Sequence, residues 1–107
     1  MSIAICDYSS GRIDILSLDG TPPRHLQLKD WNSLYSIAWA ADGKGLFVSS
    51  QLVRGSVLLY VDLHGNARTL WKLDGAIGMW VVPSPDGRHL AIEGWNFNSN
   101  IWMMENF

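Results

Sequence analysis

At 107 residues, with 48% apolar and 17% charged side chains, the chain has the size of one globular domain and is too apolar to be disordered. Its net charge of −2 at pH 7, both signs scattered, leaves no basic stripe for a phosphate backbone, which excludes nucleic acid as a partner. No run approaches the roughly 18 to 20 consecutive apolar residues that span a bilayer, and the segment after Met1 lacks the basic flank and length of a signal peptide, so no membrane insertion and no compartment are assigned. A lone Cys6 can form neither an internal disulfide nor a Cys-rich zinc site, and reads as a small buried strand residue.

Taken in chain order, short apolar runs rich in β-branched and aromatic residues predict strands at Ile3 to Cys6, Ile13 to Leu18, His25 to Leu28, Leu34 to Trp39 and Leu46 to Ser49. Five more follow at Val57 to Val61, Ala67 to Trp71, Met79 to Val82, His89 to Ile92 and Ile101 to Met104. No window carries a helical apolar stripe uninterrupted by Gly or Pro. The pattern is all-β.

An internal repeat organises these strands. Ile37 to Val48 aligns with Val81 to Ile92, so that Asp42-Gly43-Lys44 falls over Asp86-Gly87-Arg88, 44 residues apart. Leu58-Leu59-Tyr60-Val61-Asp62 falls over Ile101-Trp102-Met103-Met104-Glu105 at a spacing of 43, and Ile15 to Asp19 precedes it by the same 43. A period in the low forties with four strands per unit is the signature of a β-propeller blade. In Ser84-Pro85-Asp86-Gly87 the Pro sits where φ near −65° is wanted and the Gly where φ is positive, predicting a type I turn closed by a glycine bulge. Ala41-Asp42-Gly43 repeats that turn without the Pro, and Asp19-Gly20 and His64-Gly65-Asn66 mark the next hairpin of the blade.

The run Ser84 to Ile92, followed by Asn98-Ser99-Asn100-Ile101-Trp102-Met103-Met104, resembles the TolB-like (WD-repeat-like) propeller repeat. More narrowly, the ending is similar to the C-terminal propeller sensor regions of bacterial serine/threonine kinases and winged-helix regulators. The resemblance implies a ligand- or protein-binding sensor or scaffold region. Ala40-Ala41 in place of Ser-Pro, and the apolar Gly94-Trp95-Asn96-Phe97, depart from the family pattern.

With blade strands lettered A to D from channel to rim, residues 1–28 supply B to D of one blade, 29–72 a complete blade, and 73–107 strands A to C of a third. The expectation is an array of about two and a half blades: the C-terminal part of a larger protein, completed by missing N-terminal blades, or a self-associating protomer. Two copies of three incomplete blades would make six, a size the resemblance implies.

His25, His64 and His89 lie one per blade, without carboxylates or Cys at ligand spacing, and read as solvated rather than metal-binding. No G-x-S-x-G elbow, P-loop or kinase signature occurs. Asp42 and Asp86 occupy equivalent turns and are expected to bond backbone N–H groups there. No catalytic residue, metal site or cofactor is therefore assigned, and the chain reads as non-enzymatic. Trp39, Trp71 and Trp102 fall in strand patterns and are expected between blades, and Trp80 in the core or lining the channel. Trp31 and Trp95 fall in loops, where each ring either caps a blade edge or serves a partner. D–A and B–C loops emerge at one end of a propeller, so the candidate interaction face is Trp31, Arg54, Trp95, Asn96 and Phe97. The function expected is binding of a protein or small-molecule ligand. Two alternatives stand beside it: an accessory propeller of a peptidase or kinase whose catalytic domain lies elsewhere, and a purely structural fragment.

Overall fold

Turn chemistry determines where the strands stop. In the computed structural model, which describes residues 2–76, 78–95, 100–105 and 107 (only the backbone of Trp95 and Asn100), Gly43 N–H donates to the Ala40 carbonyl at 2.9 Å and Gly87 N–H to that of Ser84 at 3.0 Å. Both glycines are left-handed, with φ of 70° and 74°, a region where a Cβ meets the following carbonyl. The Asp42 and Asp86 carboxylates accept the N–H of Lys44 and Arg88 at 2.9 and 3.0 Å. The aspartates thus close their own turns, as the sequence predicts.

Ten strands result: β1 (Ser2–Cys6), β2 (Arg12–Ser17), β3 (Arg24–Gln27), β4 (Leu34–Trp39), β5 (Gly45–Leu52), β6 (Gly55–Asp62), β7 (Ala67–Asp74), β8 (Gly78–Pro83), β9 (His89–Trp95) and β10 (Asn100–Glu105). They form three antiparallel meanders, β1-β2-β3, β4-β5-β6-β7 and β8-β9-β10, fanned into a body of 43 × 31 × 20 Å. The fold is all-β, with one full propeller blade between two three-stranded sheets, and no helix occurs among the described residues.

Several strand boundaries differ from the sequence reading; β7, for one, runs to Asp74 rather than Trp71. The predicted strands ending at Ser49 and resuming at Val57 are longer: β5 runs to Leu52 and β6 starts at Gly55, leaving the two-residue turn Val53-Arg54. Flanking that turn, Ser50 and Ser56 are buried with their hydroxyls satisfied, Ser50 Oγ by the Ser33 carbonyl at 3.1 Å and Ser56 Oγ by that of Ala76 at 3.3 Å. Trp95, expected in a loop, is the last residue of β9, paired with Gly78.

Alternation along the middle strands builds two seams. Leu46 and Val48 of β5, with Val57, Leu59 and Val61 of β6, join Ile13, Ile15 and Leu26 of the first sheet in one fully aliphatic cluster. Phe47 and Leu58 point the other way and meet Met79, Val81, Leu90 and Ile92 of the third sheet. A bulge at Tyr35 reverses the face order of β4, so Leu34 joins the first seam while Ser36 points into the second. There the hydroxyls of Ser36 and Ser49 lie 2.7 Å apart, and both donate to the Met79 carbonyl, at 2.6 and 2.8 Å. The second seam is therefore stitched by hydrogen bonds as well as packed. Trp71 and Trp102 meet edge-on across it, ring centroids 5.4 Å apart, and Trp39 packs against the first.

Candidate functional site

One end of the array gathers the Val53-Arg54 turn, the β3–β4 loop, residues 75–76 and the tip of β9. Backbone bonds hold these pieces together: Gln51 N–H donates to Ser33 O at 2.7 Å, and Gly75 N–H to Arg54 O at 2.7 Å. The antiparallel order of the strands requires this clustering, since every second connection returns to the same end. Leu28 N–H donates to Gly11 O at 2.9 Å, anchoring the β3–β4 loop to the β1–β2 turn.

The structure brings Trp31, Arg54 and the backbone of Trp95 to this end. Trp31 is half-buried, its ring packed on the aliphatic seam. Arg54 is exposed at the turn tip beside Val53, which is fully exposed. Asn96 and Phe97 lie outside the described residues. Val53 was not singled out from the sequence; its signal was Leu52-Val53-Arg54-Gly55, an apolar residue that the two-residue hairpin turns out to solvent.

The opposite end carries two clefts. One of about 580 Å³, between the second and third sheets, is lined by Phe47, Tyr60, Arg68, Asp42, Asp86 and Phe107. Arg68 lies over the Tyr60 ring at 5.6 Å, and burial pushes the Tyr60 hydroxyl pKa up. The other, about 450 Å³, lies between the first and second sheets and includes Ser17, Thr21, Arg24 and Trp39; Arg24 Nη2 donates to the Leu63 carbonyl at 2.6 Å.

Two histidines have carboxylate neighbours that the linear sequence hides, because they face each other across strands. His25 Nδ1 lies 2.7 Å from Asp14, which Arg12 also contacts at 2.7 Å, and His89 Nε2 lies 3.1 Å from Glu105. Arg12 and His25 hold the Asp14 carboxyl below the usual range. Both groupings are solvent-exposed pairs, and among the described residues no three His, Cys, Asp or Glu converge on a metal position. Ser84 donates its hydroxyl to Asp86 at 2.6 Å and thereby closes the turn; that bond holds the Asp86 carboxyl below its ordinary value. Burial pushes the Cys6 thiol pKa up, the direction opposite to activation. Trp80 is half-exposed and meets Tyr35 edge-on at 5.4 Å. Among the described residues no helix is long and apolar enough to cross a membrane.

This arrangement is similar to two solved structures. TolB from Acinetobacter baumannii superposes with a TM-score of 0.72 at 20% identity, over 97% of this chain and 27% of that one. A putative 6-phosphogluconolactonase from Bacteroides uniformis superposes with a TM-score of 0.63 at 17% identity, over 97% of this chain and 33% of that one. The chain thus spans about a third or less of either, and the likeness is one of fold. No family model and no curated protein matches the sequence.

Proposed function

We propose that the chain is a non-catalytic propeller region that binds a protein or small-molecule partner through the end carrying Trp31, Arg54, Trp95, Asn96 and Phe97. The observation that supports this is the Val53-Arg54 tip: an exposed apolar residue and an exposed cation on a two-residue turn of the best-buried sheet, tied by Gly75 to the neighbouring loop. Rigid support with exposed contact groups lowers the ordering cost of binding. Trp31, rooted in the aliphatic seam, supplies an aromatic shoulder whose position is fixed. In this reading the chain is a sensor or scaffold region of a larger protein, of the kind carried by bacterial kinases and winged-helix regulators.

The test compares Arg54→Glu and Trp31→Ala with the parent chain for thermal midpoint and for partners retained by the tagged protein. Selective loss of a retained partner by Arg54→Glu, at unchanged midpoint, supports the reading. Equal retention, or loss of folding with no selective loss of binding, refutes the assignment of this face. Turnover of a sugar lactone above the buffer rate would refute the non-catalytic half.

A further inference from the structure

The two clefts at the turn end occupy the same repeated position and are lined differently. Advancing by 44 residues carries Arg24, Gly43 and Leu63 of the smaller cleft onto Arg68, Gly87 and Phe107 of the larger, and advancing by 43 carries Ser17 onto Tyr60. The smaller cleft shows what continuing chain does to such a site. The chain runs on past Leu63 into β7, yet no β7 residue lines that cleft. By the same repeat, chain beyond Phe107 stands clear of the larger cleft, so further blades neither build it nor fill it.

Where the smaller cleft has the Ser17 hydroxyl and the aliphatic Leu63, the larger has two rings. Tyr60 and Phe107 each meet Phe47 edge-on, with centroids 5.5 Å apart, and the three rings make an apolar wall. In the smaller cleft Arg24 crosses the seam and donates to the Leu63 carbonyl at 2.6 Å. Arg68 instead lies over the ring of Tyr60, its partner in register on the same sheet, at 5.6 Å, and is exposed. A guanidinium stacked on a ring keeps its N–H edge for a planar anion. Asp42 and Asp86 each use Oδ1 to close a turn, and among the described residues neither they nor Arg68 form an ion pair. The Asp42 charge reaches the ring wall: after burial, it is the next cause of the raised Tyr60 pKa. One cation and two anions therefore border one apolar wall.

We propose that the larger cleft binds a small zwitterion with an apolar side chain, of amino-acid or dipeptide size. Its carboxylate meets the Arg68 fork, its ammonium meets Asp42 and Asp86, and its side chain lies on the rings of Phe47, Tyr60 and Phe107. An anion alone would face two carboxylates, and a cation alone would face Arg68; a ligand carrying both charges suits all three. The volume of about 580 Å³ falls within the range of about 300–1,000 Å³ typical of small-ligand pockets. This cleft lies at the end opposite the Val53-Arg54 tip, so either assignment can fail alone.

The experiment is isothermal titration calorimetry of the 107-residue chain with phenylalanine and leucyl-phenylalanine, each as the free zwitterion, the N-acetyl derivative and the C-terminal amide. At least one zwitterion is expected to bind saturably at millimolar concentration or below, and the tighter of the two sets the size of the ligand. Removing either charge from it should weaken binding about tenfold or more. Arg68→Gln should weaken the zwitterion by a similar factor and abolish its advantage over the amide, which a loss of packing alone would not do. Arg24→Gln, the equivalent change in the smaller cleft, should leave both untouched; circular dichroism checks that each variant is folded. No saturable binding of either zwitterion overturns the proposal. An amide that binds as well as its zwitterion overturns the role of Arg68, and an N-acetyl derivative that does so overturns that of the aspartates. Binding weakened by Arg24→Gln but not by Arg68→Gln overturns the assignment to this cleft.

Discussion

The middle sheet and the third sheet are written in the same repeat, yet the same position meets opposite surroundings. Leu58 is wholly buried, while Ile101, its equivalent 43 residues on, is 78% exposed. Both are large aliphatic side chains on the third strand of a blade. What differs is whether another sheet lies beyond. In a stacked array, stability is a property of seams between units more than of the units themselves. The middle blade has two seams and each flanking sheet has one.

The largest expected effect follows directly. Leu58→Ala should lower the unfolding free energy by about 2–5 kcal/mol, whereas Ile101→Ala should change it by no more than about 0.5 kcal/mol at concentrations where the chain is monomeric. Urea unfolding of both variants checks this, and equal losses would break the comparison. Within the second seam, replacing Ser36 and Ser49 together by Ala strips the Met79 carbonyl of both donors and should cost about 1–3 kcal/mol. Either single substitution leaves one donor in place and should cost less. The same unfolding curves test whether the hydrogen bonds matter or the apolar packing suffices.

Turn effects are smaller and indifferent to seams. Gly87→Ala should cost about 1 kcal/mol through its left-handed φ of 74°, since the nearest atom to an added Cβ is 3.6 Å away and no clash contributes. Gly43→Ala, at φ 70° with open space around it, should match it despite lying in the middle blade. A clear difference between the two would show that the neighbouring sheet stiffens the turn.

Acid gives the most evenly spread effect. The carboxyls of Asp19, Asp62 and Asp86, each at a hairpin turn of a different sheet, sit below their ordinary range, held there chiefly by the Ser17 hydroxyl, the Asn66 N–H and the Ser84 hydroxyl respectively. A folded-state pKa below the unfolded value contributes stability that is complete above the unfolded pKa and lost as pH falls through the folded one. The thermal midpoint should therefore be insensitive to these groups from pH 7 to about pH 5, then decline below about pH 4. A midpoint that rises on acidification below pH 4 would contradict the turn bonds.

Most of this architecture was legible in the sequence because propeller blades punctuate themselves. Asp-Gly at a spacing of 44 located the hairpins, and β-branched runs between them located all ten strands. The strand ends at Ser49 and Val57 were misplaced because serine is a poor burial signal: whether Ser49, Ser50 and Ser56 are inside depends on carbonyls 17 to 30 residues away in sequence. The reversal of β4 was hidden for a related reason. A bulge changes which face a residue takes without changing the residue, so Leu34 and Ser36 look alike in period and point to different seams. His25–Asp14 and His89–Glu105 were invisible until register paired them. Of the candidate face, strand alternation predicted that Trp31 and Arg54 share one end; it could not show that Trp31 is rooted in the core while Val53 is turned outward.

Amide hydrogen exchange on the monomeric chain tests the central claim most directly, because it reads the stability of each strand separately. If the two seams carry the structure, β5 and β6 exchange slowest, since both lie inside the only four-stranded sheet among the described residues and are packed on both faces. β1 and β10, each with an open edge and a bare face, should exchange fastest among the strands, by roughly a factor of ten for every 1.4 kcal/mol of difference. Uniform protection across all ten strands, or slowest exchange in β1 or β10, would contradict it.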